Sequence, residues 1–183
     1  MRPSRLVLDT QRHLKWRALD FLEAVTMVLC GVCLAGFSTS VFFDVLTRTI
    51  GAPWLWLQEV TSTFFVYGIF IGAAAATRRN DHLYLSALTE TMTGTPRLAV
   101  ETFNRLVVLA VALCMVYFGY INFLQGFGSF RMPSMTPIAS LYAAIPLSGA
   151  LITLFTLEQL VNGWRHGFAS AEPAHEEMTT ALE

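Results

Sequence analysis

The sequence predicts an all-α integral membrane protein: four transmembrane helices, short interfacial helical segments and both termini cytoplasmic. Three observations predict it. The 183 residues are 54% hydrophobic and 14% charged, whereas soluble domains carry about a quarter charged residues. Four stretches are long enough for a hydrocarbon core that needs about 20 apolar residues of helix. The lysines and arginines are distributed unevenly among the segments joining those stretches.

The expected spans are 21–43, 60–77, 106–124 and 138–161, forming a transmembrane domain over 19–164. Residues 1–18 read as a basic cytoplasmic or interfacial segment, and 165–183 as a flexible cytoplasmic tail that is small, polar and acidic. The first span follows basic residues, as a signal peptide would. Its apolar run is longer than the 7–15 residues of a signal core, and no small-x-small cleavage site follows before Asp44, so a retained helix is expected.

Orientation follows from the cations. Arg2, Arg5, Arg12, Lys15 and Arg17 precede the first span; Arg78, Arg79, Arg97 and Arg105 flank the middle loop; Arg165 follows the last span. The loops 44–59 and 125–137 hold only Arg48 and Arg131, a ratio of ten to two that places them outside. Tryptophan placement agrees, with Trp16 and Trp164 at the inner boundary and Trp54 and Trp56 at the outer one. Trp16, Trp56, Arg78, Arg79, His82 and Trp164 are therefore expected to be membrane-interface anchors in contact with the lipid bilayer. A net charge of −1 leaves no basic surface for nucleic acid.

Along the chain, Asp20 and Glu23 open helix one near the basic segment, and Asp44 and Arg48 can pair at i, i+4 near its end. Gly51-Ala-Pro53 turns the chain. Helix two carries Gly68 and Gly72 at GxxxG spacing, with Ala76 one turn on, a stripe that lets another helix approach closely. That helix can belong to this chain or to a partner. Residues 82–92 read as an interfacial helix with Leu85, Leu88 and Met92 on one side. Thr95-Pro96 starts helix three, Glu101 and Arg105 pair at i, i+4, and Pro146 kinks helix four.

Few residues invite chemistry. His13, His82, His166 and His175 all lie outside the spans, and no catalytic, cofactor-binding or metal-binding set emerges. Cys30 and Cys33 form a C-x-x-C pair, as in quinone-linked thiol oxidases. They fall mid-span, where a thiolate is disfavoured, and only Cys114 remains as a further thiol. Packing is the simpler role. The span centres lack Asp, Glu, Lys and Arg, so the chain shows no ion or solute path of its own. Glu59 can be a helix N-terminal carboxylate or, with Ser62 and Thr63 beside Trp54, a partner contact.

The order Trp54-LWLQ-Glu59, then Gly72-AAAATRRND-His82-LYLSAL, then Ser140-LYAAIPLSG resembles the DctQ-like small membrane subunit of the tripartite ATP-independent periplasmic (TRAP) transporters. The likeness covers roughly residues 20–162. Val60 stands where the family often has a second acid, and Asn80-Asp81 where a glycine is usual. The resemblance implies a non-enzymatic small permease subunit in the bacterial cytoplasmic (inner) membrane, without cofactor. It would form a stable complex with the large TRAP membrane subunit and touch a periplasmic solute-binding protein transiently. Transport would be sodium-coupled and the solute an organic acid or similar molecule. The expected partner interface comprises Trp54, Glu59, Thr63, Gly68, Gly72 and Arg131. The alternatives are a four-helix scaffold of another complex and a redox enzyme using Cys30 and Cys33.

Overall fold

A computed structural model describes residues 15–79 and 95–166. The expected interfacial helix at 82–92, His82 and the tail beyond 166 lie outside the described residues. A 3-10 turn, Arg17–Leu19, leads into α1, Asp20–Thr49. Helix α1 ends because Gly51 takes a left-handed φ of 82°. There Gly51 N–H bonds Arg48 O at 3.1 Å and Ala52 N–H bonds Thr47 O at 3.0 Å. That is a Schellman cap, which satisfies carbonyls the helix leaves open.

Helix α2 is Trp56–Arg79 and α3 is Thr95–Gln125. A turn at Gly126–Gly128 then leads into a small antiparallel hairpin, β1 (Phe130–Arg131) and β2 (Thr136–Pro137). The last span is broken into α4, Ala139–Tyr142, and α5, Ala144–His166. Pro146 is the cause: it has no N–H to offer the carbonyl of Tyr142, four residues earlier. The expected kink is therefore present as a break at Ala143.

Four helical stretches, Arg17–Thr49, Trp56–Arg79, Leu98–Gly128 and Ala139–Arg165, are long and apolar enough to cross a membrane. The first and third outrun the apolar spans 21–43 and 106–124. Their extra turns carry charged residues that pair within the helix: Asp44 with Arg48 at 2.9 Å, and Glu101 with Arg105.

The helices lie in the order α1–α2–α5–α3. Helix α1 packs on α2, α2 on α5, and α5 on α3, while α1 and α3 form no extended contact. The result is a row with two broad faces. A small core of Ala74, Ala112, Ile152 and Phe155 joins the inner helices to α3. On α1 a single stripe is buried, through Glu23, Thr26, Cys33, Ser40 and Thr47. No span has more than 33% of its most apolar stretch buried, so lipid or another protein must cover the remainder.

Candidate functional site

Polar side chains gather at the two ends of the row. At the basic end, the last turn of α2 carries Arg78, which is fully buried. Its Nε and Nη2 donate to the two carboxylate oxygens of Glu158 at 3.1 and 3.2 Å, a two-point contact. Nη2 also reaches Asp20 Oδ1 and the carbonyl of Trp16, each at 3.1 Å, and Nη1 donates to the carbonyl of Leu19. Nη1 lies 3.2 Å from Glu23 Oε2, and Arg78 Cζ sits 5.3 Å from the Phe155 ring centre.

Further cations converge on Glu23. Lys15 Nζ is 3.8 Å and Arg79 Nε 3.5 Å from its carboxylate. The named cations Lys15, Arg78 and Arg79 are balanced by Asp20, Glu23 and Glu158. Burial pushes the Lys15 ammonium below the ordinary lysine range, and Glu23 opposes that shift. Glu158 accepts the Trp16 backbone N–H, and Asn162 Oδ1 accepts the Trp16 indole N–H at 2.7 Å. Gln159 donates to the carbonyl of Thr77 at 2.7 Å, closing the end of α2. This cluster binds the chain before α1 to α1, α2 and α5 together.

Arg78 was expected at headgroup level; instead its side chain is enclosed, because Glu23 and Glu158 offer buried carboxylates that need a counter-ion. Arg79 is mostly buried beside it. Trp16 is partly exposed but tied to α5, and Trp164 is exposed with its indole N–H on Thr102 Oγ1 at 3.2 Å. Glu158, Gln159 and Asn162 were not singled out from the sequence. Two adjacent polar residues inside an apolar run were the available signal.

At the other end, Arg131 of the hairpin reaches down to α2. It donates to Thr63 Oγ1 at 2.9 Å, Ser62 Oγ at 2.6 Å and the carbonyl of Glu59 at 2.9 Å. In return the Glu59 carboxylate accepts the Ser134 N–H at 3.2 Å and the Ser134 hydroxyl. Of the residues expected at a partner interface, Glu59, Thr63 and Arg131 are thus brought together within the chain, around a cavity of about 430 Å³. Trp54 and Trp56 stack with ring centres 6.0 Å apart and both stay half exposed. The hairpin turns Met132 and Met135 outward, and Met132 is 75% exposed.

Gly68 and Gly72 face α1. A Cβ at Gly68 would lie 3.4 Å from Cys33 Cβ, and one at Gly72 would lie 3.5 Å from Cys30 Sγ. The two cysteines are free thiols set in this seam. Because both distances are ordinary contact, alanine should be accepted at either glycine. Gly68→Leu should push α1 off α2 at a cost of about 1–3 kcal/mol. Equal thermal stability of Gly68→Leu and Gly68→Ala would show that the seam is not closed there.

A family model described as the DctQ component of tripartite ATP-independent periplasmic transporters matches residues 37–166. The chain belongs to this family. Among curated proteins, this DctQ chain is 27% identical over 123 residues to the sialic acid TRAP transporter permease protein SiaT of Haemophilus influenzae (strain 86-028NP). The match covers 65% of the DctQ chain and 20% of that permease. The DctQ chain thus spans about a fifth of the length of the curated relative it matches. The family is one of transporter components rather than of enzymes. The expected small TRAP subunit with four membrane-spanning helices is therefore the class to which this chain belongs.

Proposed function

We propose that this DctQ chain is the static small subunit of a sodium-coupled, binding-protein-dependent transporter for an organic acid or similar solute. It packs on the scaffold of the large membrane subunit and has no transport site of its own. The basic end faces the cytoplasm of a bacterial inner membrane, with both termini on that side. The hairpin end faces the periplasm.

One observation carries this reading. The buried charges at the basic end are matched side chain to side chain, and their partners span the chain before α1 and helices α1, α2 and α5. A transported ion or acid would need such groups to be released in turn; here they hold helices in place. A row with two broad apolar faces suits a stator, giving one face to a neighbouring subunit and the other to lipid.

The test is recovery of the tagged chain from its native membrane in mild detergent, with mass spectrometry of what accompanies it. A co-purifying membrane protein of roughly a dozen spans is the expected result. The chain emerging alone from several detergents would overturn the reading. The outer hairpin is proposed to contribute to the surface that meets the periplasmic binding protein. Met132→Glu leaves the Arg131 and Glu59 bonds untouched, so it should lower binding-protein-dependent uptake without loosening the complex. Unchanged uptake would remove the hairpin from that surface.

A further inference from the structure

Two cavities lie between α1 and α2 and meet at Phe37 and Phe65, whose ring centres are 5.5 Å apart. The one nearer the hairpin end is about 440 Å³ and is polar on one side, with Asp44, Gln58 and Thr61 in its wall. The other, about 280 Å³, runs toward mid-span past Leu34 and Ile69 and is almost wholly apolar. Together they make a groove with a polar head and an apolar leg.

The head holds unused hydrogen-bonding capacity. Asp44 Oδ2 accepts the Arg48 Nε–H at 2.9 Å and keeps a further lone pair on a side chain that is 21% exposed, while Oδ1 is buried. Among the described residues the Gln58 side-chain amide makes no hydrogen bond. Thr61 donates its one hydroxyl proton to Leu57 O or Ser40 Oγ and so keeps a lone pair for a donor. Arg48 is 46% exposed, and beyond its Nε bond its terminal nitrogens have no partner among the described residues.

We propose that this groove holds one phospholipid with a primary-amine headgroup, of the phosphatidylethanolamine class. An ammonium carries three N–H donors, which Asp44, Gln58 and Thr61 can accept. The lipid phosphate meets the free side of Arg48, and an acyl chain lies along Leu34 and Ile69. A basic side chain of a partner would satisfy Asp44 but set its charge against Arg48; a zwitterion suits both. Trimethylammonium offers no N–H, and a glycerol headgroup offers no cation, so the amine is the distinguishing feature. The inference needs only that α1 and α2 span a bilayer, not the stator role.

The experiment takes the full chain, with whatever co-purifies, in mild detergent. It measures retained lipid by native mass spectrometry during titration with dioleoyl phosphatidylethanolamine, phosphatidylcholine or phosphatidylglycerol. The expected result is one ethanolamine lipid per chain, preferred about tenfold or more, as charged hydrogen bonds of about 1.5–3 kcal/mol would give. Asp44→Asn should bring the three lipids to near equality. Ile69→Trp should weaken all three alike by filling the leg. Should Asp44→Asn fail to fold, Gln58→Leu carries the same test. An unchanged ethanolamine preference in the head variant overturns the proposal, as does unchanged retention in Ile69→Trp. Loss of a co-purifying protein from Asp44→Asn with lipid retention intact would also overturn it, assigning the site to a partner side chain.

Discussion

Arg78→Ala should destabilise this protein by about 3–5 kcal/mol, the range seen when one partner of a buried ion pair is removed. The cause is what stays behind. Glu158 is fully buried and takes both its guanidinium bonds from Arg78. Among the described residues Glu23 would keep only Lys15 and Arg79, at 3.8 and 3.5 Å. Thermal unfolding in detergent, followed by tryptophan fluorescence, should show a fall on the order of 10 °C, taking roughly 2–4 °C per kcal/mol for a chain of this size. Arg78→Lys should lie between, since an ammonium cannot make the two-point contact. Arg78→Met combined with Glu158→Met should be less damaging than the two single losses summed, because they remove one interaction. Strict additivity, or an Arg78→Ala melting curve that matches the parent, would mean that the cluster does not hold the helices.

The second large effect is expected at Gly149. A Cβ there would lie 3.0 Å from the Ala112 carbonyl oxygen, Met115 Cβ and Val116 N. Two of those atoms belong to the backbone of α3 and cannot turn aside as a side chain can. Gly149→Ala should therefore cost about 1–3 kcal/mol by overpacking, and Gly149→Leu more, by forcing α5 away from α3. Gly31→Leu is the control, because a Cβ at Gly31 meets nothing within 4 Å. If the Gly149 and Gly31 variants melt together, the α3–α5 contact is looser than described.

The four spans were legible because apolar length is a local property, and so was the break caused by Pro146. The i, i+4 pairs Asp44–Arg48 and Glu101–Arg105 were legible for the same reason, although hydropathy alone ended the first and third spans inside them. The GxxxG spacing showed a packing face but not its partner, which the fold supplies as Cys30 and Cys33 of α1. Gly149 carried no comparable signal, since only the approach of α3 makes it essential. Arg78 was misread for a physical reason. Its acid partner Glu158 lies 80 positions further along the chain, and arginines at the end of a span ordinarily serve topology. Glu158 escaped notice as a single acid near the end of an apolar run. Of the cluster at the hairpin end, Glu59, Thr63 and Arg131 were each singled out, but nothing in the sequence indicated that they would bond to one another.

The row order also bears on how the chain is made. Helix α1 packs on its immediate successor, and α3 packs on α5, the next long helix, once the short hairpin has turned the chain. Each half is thus a helical hairpin of sequence neighbours, able to enter the bilayer as a unit while synthesis continues. The halves join along α2 and α5, and among the described residues Glu158 is the one acid that the second half brings to Arg78. Until α5 arrives, the first half is an inserted hairpin whose Arg78 lacks its two-point carboxylate. A ribosome stalled before residue 158 should therefore hold a protease-sensitive intermediate, and release beyond that residue should close it.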